Sequence, residues 1–266
     1  LLLNSCSKDK KKIDIIEEED IELQMIDSYK EGIKALEEGD ILFAAKKFNE
    51  AELVYPQSDW APKSALMSAY SYYIQDYYGD AIFELNRFIK TYPKDLRSSY
   101  AHFLLGMCYY EQIVDEKKDL GPILKAKEKF NYILKNYPDT DFALDAQFKL
   151  DLINDISASK EMYIGKHYVK KQKWIPAINR FKTIVNNYET TVYVEEALFR
   201  LVEIYYLLGL TDESQKYAKL LGYNYLSSRW YKESYRIFNK NYESPREKIK
   251  KKKRNFIIRK FKSIFN

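Results

Sequence analysis

Four stretches of the chain superimpose without a gap: "AAKKFNEAELVYP", "DAIFELNRFIKTYP", "KAKEKFNYILKNYP" and "PAINRFKTIVNNYE". In each, an alanine is followed four residues later by Phe or Leu, and seven after that by Tyr: Ala44/Phe48/Tyr55, Ala81/Leu85/Tyr92, Ala126/Phe130/Tyr137 and Ala177/Phe181/Tyr188. Proline follows the first three tyrosines (Pro56, Pro93, Pro138), and Glu189 stands there in the fourth. Residues at i and i+4 share one helix face and a proline ends a helix, so each stretch reads as one amphipathic helix with a fixed stop. A repeat of this kind limits the fold more than any other feature, because each unit can bury its apolar face only against a neighbour.

The register extends upstream. Twelve residues before the anchoring alanine stand small residues, Gly32, Ala69 and Gly165, and three further on come Tyr72 and Tyr168. A degenerate fifth unit, anchored at Ser214, has Tyr205 at that place. Small residue, Tyr, Ala, Phe and Pro in this order form the tetratricopeptide (TPR) pattern, whose period is about 34 residues. Its small residues let two helices approach closely, and its aromatics fill the gap to the next unit. The expected fold is therefore all-α, an α-solenoid of about five TPR helix pairs over residues 21–240, offering a concave groove and long ridges for binding. Successive anchors are 37, 45, 51 and 37 residues apart. The excess is expected between helix pairs, in "QIVDEKKDLGP" and in "DTDFALDAQFKLDLINDISASKEM". Phe142, Ala146, Leu150 and Ile153 keep a helical period through the second, which predicts one greatly lengthened helix.

Charge is unevenly placed. From Arg246 to Lys262 there are ten Lys/Arg and one acid; removing them from the chain's 44 basic and 39 acidic residues leaves 34 against 38. A mildly acidic body with a basic tail argues against a nucleic-acid partner, which would require a basic folded face. After Leu3 no apolar run reaches the roughly 20 residues needed to cross a bilayer as a helix. Cys6 and Cys108 are the only cysteines. Cys108, inside "HFLLGMCYY", reads as a core thiol, and no disulfide framework is expected.

Residues that carry chemistry are scarce. His102 and His167 lack the companions that a metal site needs, and the chain has no Gly-rich phosphate loop and no G-x-S-x-G elbow. "EEED" (Glu17–Asp20) and the pair Glu195 and Glu196 read as solvated faces. No catalytic residue, metal or cofactor is assigned, and the chain is not expected to be an enzyme. In "YSYYIQDYY", Tyr72 holds a core position of the repeat, while Tyr73, Tyr77 and Tyr78 cannot all face one way.

Beyond the generic repeat, "LNRFIKTYP", "SYAHFLLGMCYYEQIVD", "KEMYIGKHY", "WIPAINRF", "TTVYVEEALFRLVEIYYLLGL" and "LGYNYLSSRWYKESY" follow the order and spacing of the BamD family. The chain resembles these TPR lipoproteins of the outer-membrane β-barrel assembly machinery, in an alphaproteobacterial version, over about residues 25–240. On this resemblance "LNSC" (Leu3, Asn4, Ser5, Cys6) is similar to a lipobox. Residues 1–5 are then a signal-peptide remnant and Cys6 the lipidated residue; the bland alternative is an ordinary N-terminal cysteine. Residues 6–20 become a polar tether, which as a coil spans roughly 20 Å. The implied location is the outer membrane, with the lipid-anchored body facing the periplasm.

The same resemblance implies two binding regions. The N-terminal repeats would receive unfolded barrel precursors through an extended peptide ending in an aromatic residue, with Arg87 and Tyr100 as candidates; the alternative for Arg87 is a solvated helix position. The C-terminal repeats would dock the membrane-proximal POTRA domain of the barrel-forming subunit through Arg180. The alternative for Arg180 is an internal salt bridge to Glu195 or Glu196. Accessory lipoproteins are the remaining implied partners. The tail, residues 241–266, places Ile257, Phe261, Ile264 and Phe265 on one helical face among basic residues, as for an anionic membrane surface. A disordered solubilising extension is the other reading. The competing function is a TPR lipoprotein scaffold in another envelope process, such as cell-wall or division assembly.

Overall fold

Helix boundaries in this protein follow from repeated turn chemistry. The computed structural model describes residues 20–113 and 121–239. Those residues form eleven helices and no strand. The first pair is α1 (Ile21–Glu38) with α2 (Ile41–Val54), the second α3 (Trp60–Ile74) with α4 (Tyr78–Thr91), and the third α5 (Ser98–Glu111) with α6 (Gly121–Asn136). The fourth is α7 (Asp141–Lys170) with α8 (Trp174–Asn187), the fifth α9 (Val194–Leu207) with α10 (Thr211–Asn224), and α11 (Arg229–Phe238) follows. The fold is thus the expected all-α TPR-like solenoid. The chain divides into two compact units: unit 1 is Leu1–Gln112 with Pro122–Ala143, and unit 2 is Ile113–Gly121 with Leu144–Asn266. Cys6, the tether and the basic tail lie outside the described residues.

Inside a pair, the chain reverses through one left-handed residue placed five positions before the anchor. Gly39 (φ 82°), Asp76 (φ 61°), Gln172 (φ 55°) and Gly209 (φ 75°) occupy this position in pairs one, two, four and five. Asp40 then caps α2, its carboxylate accepting from Phe43 N at 3.2 Å. Between pairs a second turn recurs. The backbone N–H of Ser58, Asp95, Thr140, Thr191 and Ser228 donates to the carbonyl of the tyrosine three residues earlier, at 3.0–3.2 Å. Ser58, Thr140 and Thr191 add a hydroxyl bond to the same carbonyl at 2.8 Å. Tyr-x-x-Ser/Thr/Asp is therefore a repeat signature in all five pairs, including the degenerate fifth, where Tyr-Pro does not apply.

The core is built on the anchors. Ala44, Ala81, Ala126, Ala177 and Ser214 are fully buried, as are Phe48, Leu85, Phe130 and Phe181. Burying each Phe contributes about 2 kcal/mol. Each Phe lies against a glycine of the partner helix. A Cβ on Gly32 would come within 2.8 Å of Phe48, one on Gly106 within 2.7 Å of Phe130, and one on Gly165 within 2.5 Å of Phe181. In the second pair Ala69 and Leu85 share one cluster, so a larger small residue accompanies a smaller large one. The fifth pair reverses the sizes, with Val202 at the glycine position and Ala218 at the phenylalanine position. Its anchor is held instead by a hydrogen bond, Ser214 Oγ to Val202 O at 2.8 Å.

Two expectations about the insertions meet different outcomes. The lengthened helix is α7, with 30 residues, and Ala146, Leu150 and Ile153 are buried along it. The "QIVDEKKDLGP" insertion does not lie between pairs; it separates α5 from α6 inside the third. This displaces Gly106 from the twelve-residue spacing and hides it from a gap-free superposition. Cys108 is fully buried as expected, and burial pushes its thiol up to about 12.

Candidate binding sites in the two units

In unit 1, Arg87 on α4 reaches across to α2. Its Nη1 and Nη2 donate to the two carboxylate oxygens of Glu52 at 2.8 and 2.7 Å, and Nε donates to Glu84 at 2.8 Å. Nη2 also donates to Asn49 Oδ1 at 3.3 Å, and the Tyr92 hydroxyl to Glu52 at 2.7 Å. Glu52 is only 5% exposed, so its charge is compensated inside the protein rather than by water. The bond to Glu52 holds the guanidinium firmly charged, against the opposing effect of burial. Burial, then Glu52, raises the Tyr92 hydroxyl. Arg87 is thus a cross-link between the second helices of pairs one and two, neither a free receptor nor a simple solvated position.

Tyr100 lies on α5, its ring 5.3 Å from that of Phe142. Phe103 stands between Phe142 and Phe130 at 5.6 and 5.9 Å, which makes Tyr100 the outer member of an aromatic row. Burial pushes its hydroxyl up to about 12. No hydrogen bond or ring contact joins Tyr100 to Arg87. Nearby, His102 rests on Tyr132 with centroids 4.3 Å apart, and burial, with Lys129 close by, lowers its pKa to about 4.

In unit 2, Arg180 on α8 pairs with Glu161 on α7, Nη1 lying 3.1 and 3.2 Å from the carboxylate oxygens. The internal pairing predicted with Glu195 or Glu196 is not formed, because both are engaged at the start of α9. Glu195 accepts from the Ser228 hydroxyl at 2.5 Å, and Glu196 takes Lys166 at 2.8 Å and Arg200 at 3.0 Å. The Arg180 side chain is 41% exposed and only Nη1 is bonded. Unlike Arg87, it keeps donors for another molecule.

Unit 2 also carries a groove that the sequence did not announce. A cleft of about 370 Å³ is bordered by Lys166, His167 and Lys170 of α7 and by Arg200 of α9. A second, of about 580 Å³, is bordered by Trp174, Ile204, Leu207 and Ile237. Val169 and Arg200 line both, so the clefts adjoin. Among the described residues no group of three His, Cys, Asp or Glu is placed to hold a metal, and no helix is long and apolar enough to cross a membrane.

Helix pairs with charge-bordered surfaces define a TPR-like repeat protein, a class that works by binding along its faces. Residues 21–220 match the family described as "YfiO: Outer membrane lipoprotein". The chain is 39% identical to the outer membrane protein assembly factor BamD of Caulobacter vibrioides over 236 residues, covering 89% of this chain and 76% of that protein. It is also 39% identical to BamD of Rickettsia prowazekii over 244 residues, 92% of this chain and 94% of the relative. BamD of Neisseria meningitidis serogroup A is more distant, 27% identical over 75% of this chain and 79% of the relative. The chain belongs to the BamD family of outer membrane protein assembly factors.

Proposed function

We propose that this chain is a non-catalytic scaffold of outer-membrane assembly, anchored by lipid on Cys6 and facing the periplasm. The observation that carries the reading is the 39% identity to proteins named as assembly factors, spread over nine-tenths of the chain. The competing task in cell-wall or division assembly gains nothing from the names of these relatives.

Within this reading, unit 2 docks the membrane-proximal POTRA domain of the barrel-forming subunit, and Arg180 is the contact. Its exposure and unused donors support the assignment, since arginine with free donors is a common interface anchor. Unit 1 receives the extended end of an unfolded barrel precursor. Tyr100 offers a ring for the terminal aromatic residue. Arg87 keeps one Nη1 hydrogen for a terminal carboxylate, because its bonds to Glu52, Glu84 and Asn49 use the other four. The basic tail adds a salt-sensitive attraction to anionic membrane, which vesicle sedimentation with and without residues 246–266 measures. Accessory lipoproteins complete the assembly.

The test is a pull-down of the tagged full chain from detergent-solubilised envelopes, beside Arg180→Glu. The barrel-forming subunit is expected with the wild type and depleted from the variant. Recovery with both removes the Arg180 assignment alone. Recovery with neither, and other envelope proteins in its place, removes the assembly reading.

A further inference from the structure

The adjoining clefts formed by α7, α9, α11 and the start of α8 make a groove with two chemistries. One end is apolar, with Trp174, Ile204, Leu207 and Ile237 on its walls; the neighbours Leu207, 63% exposed, and Tyr206, 45% exposed, leave apolar surface uncovered there. The other end is cationic, bordered by Lys166, Lys170 and Arg200, with Arg236 on the apolar side. Glu203 is the single carboxylate on either lining. Glu203 pairs with Arg200 at 2.7 Å, and Glu196 and Glu233, which border neither cleft, pair with Lys166, Arg200 and Arg236. Lys170, at the end of α7, is exposed and has no ion pair among the described residues.

We propose that this groove receives an acidic segment of a partner protein, one that carries aliphatic or aromatic side chains beside its carboxylates. The apolar side chains fill the space over Leu207 and Ile237, and the carboxylates meet Lys170 and Lys166. Charge selects this occupant. The chain's own tail, with ten Lys/Arg between Arg246 and Lys262, is repelled by the same cations. A nucleic acid has no aliphatic groups to offer the second cleft. An extended or helical peptide laid along an apolar groove with charged ends is a common recognition mode. Arg180 borders neither cleft, so this surface stands apart from the docking contact proposed above.

The experiment uses the full chain and three short fluorescent peptides, read by anisotropy. One alternates Phe or Leu with Glu; the second replaces Glu by Lys; the third replaces Phe and Leu by Ser. Only the first is expected to bind. Lys170→Glu weakens it about fivefold, an effect that fades in high salt, and Leu207→Asp weakens it about tenfold. Both positions are exposed, and unchanged thermal melting shows that the variants fold. Equal binding of the Lys peptide, or variants that bind like wild type, overturns the proposal. So does tighter peptide binding after removal of residues 240–266, which makes the tail the occupant. Concentration-dependent dimerisation abolished by Leu207→Asp does the same in favour of a second copy.

Discussion

At the scale of single residues, the glycine–phenylalanine contacts set the distance between paired helices. Gly165 has the tightest of them, a Cβ there meeting Phe181 at 2.5 Å. Gly165→Ala is therefore expected to lower stability by about 1–3 kcal/mol, although alanine is the better helix former. The second pair already carries Ala69 with Leu85. Adding Phe181→Leu to Gly165→Ala should recover part of the loss, and a double-mutant cycle in urea reads the coupling; additive losses would refute it. His102 supplies a pH signal. Its pKa falls from an ordinary 6.5 to about 4 on folding, so between those values the unfolded chain binds the extra proton. Stability contributed here is complete above about pH 6.5 and declines as pH falls toward 4. Urea midpoints across that window should fall more steeply for wild type than for His102→Phe, which keeps a ring against Tyr132.

At the scale of elements, the reversals inside pairs one, two, four and five each use a left-handed residue, and two of these are not glycine. Gln172 has φ 55°, a conformation costing a side-chain-bearing residue about 1 kcal/mol. Gln172→Gly should raise the melting temperature by a few degrees, since the turn lies outside both helices. At Asp76 the same change should help less, because its carboxylate accepts the Tyr78 hydroxyl at 2.6 Å. Much of this level was legible in the sequence. Alanine, Phe or Leu four residues later and a terminal Tyr located the second helix of four pairs, and the period through Phe142–Ile153 announced α7. Gly106 was missed because an insertion between α5 and α6 breaks the fixed spacing. The Tyr-x-x-Ser/Thr/Asp turn escaped because its chemistry tolerates three residue types, so no single letter repeats. Site residues were harder. Arg87 and Arg180 stand in look-alike stretches, "LNRF" and "INRF", but six and three residues after their anchors Ala81 and Ala177, and one is held by a buried carboxylate from another pair while the other has a single carboxylate partner. That difference depends on residues distant in sequence, Glu52 and Glu161, which no local pattern selects.

At the scale of the whole molecule, a repeat protein gains stability from each unit and from its nearest neighbours. The Arg87–Glu52 link joins pairs one and two within unit 1 and touches nothing in unit 2. Arg87→Ala leaves Glu52 buried without its cation, at a cost of about 3 kcal/mol. Hydrogen exchange should accelerate across α2 and α4 while amides of α9 and α10 keep their protection; uniform acceleration would mean that the molecule opens only as one cooperative body. The turns between pairs bear on how such a chain changes over time. Each is closed by a backbone hydrogen bond from a residue to the tyrosine three positions before it, and three add a hydroxyl bond to the same carbonyl. A cut at one of these tyrosines and a splice at the next would rejoin two identical corners, so lineages can gain or shed length in steps of one helix pair.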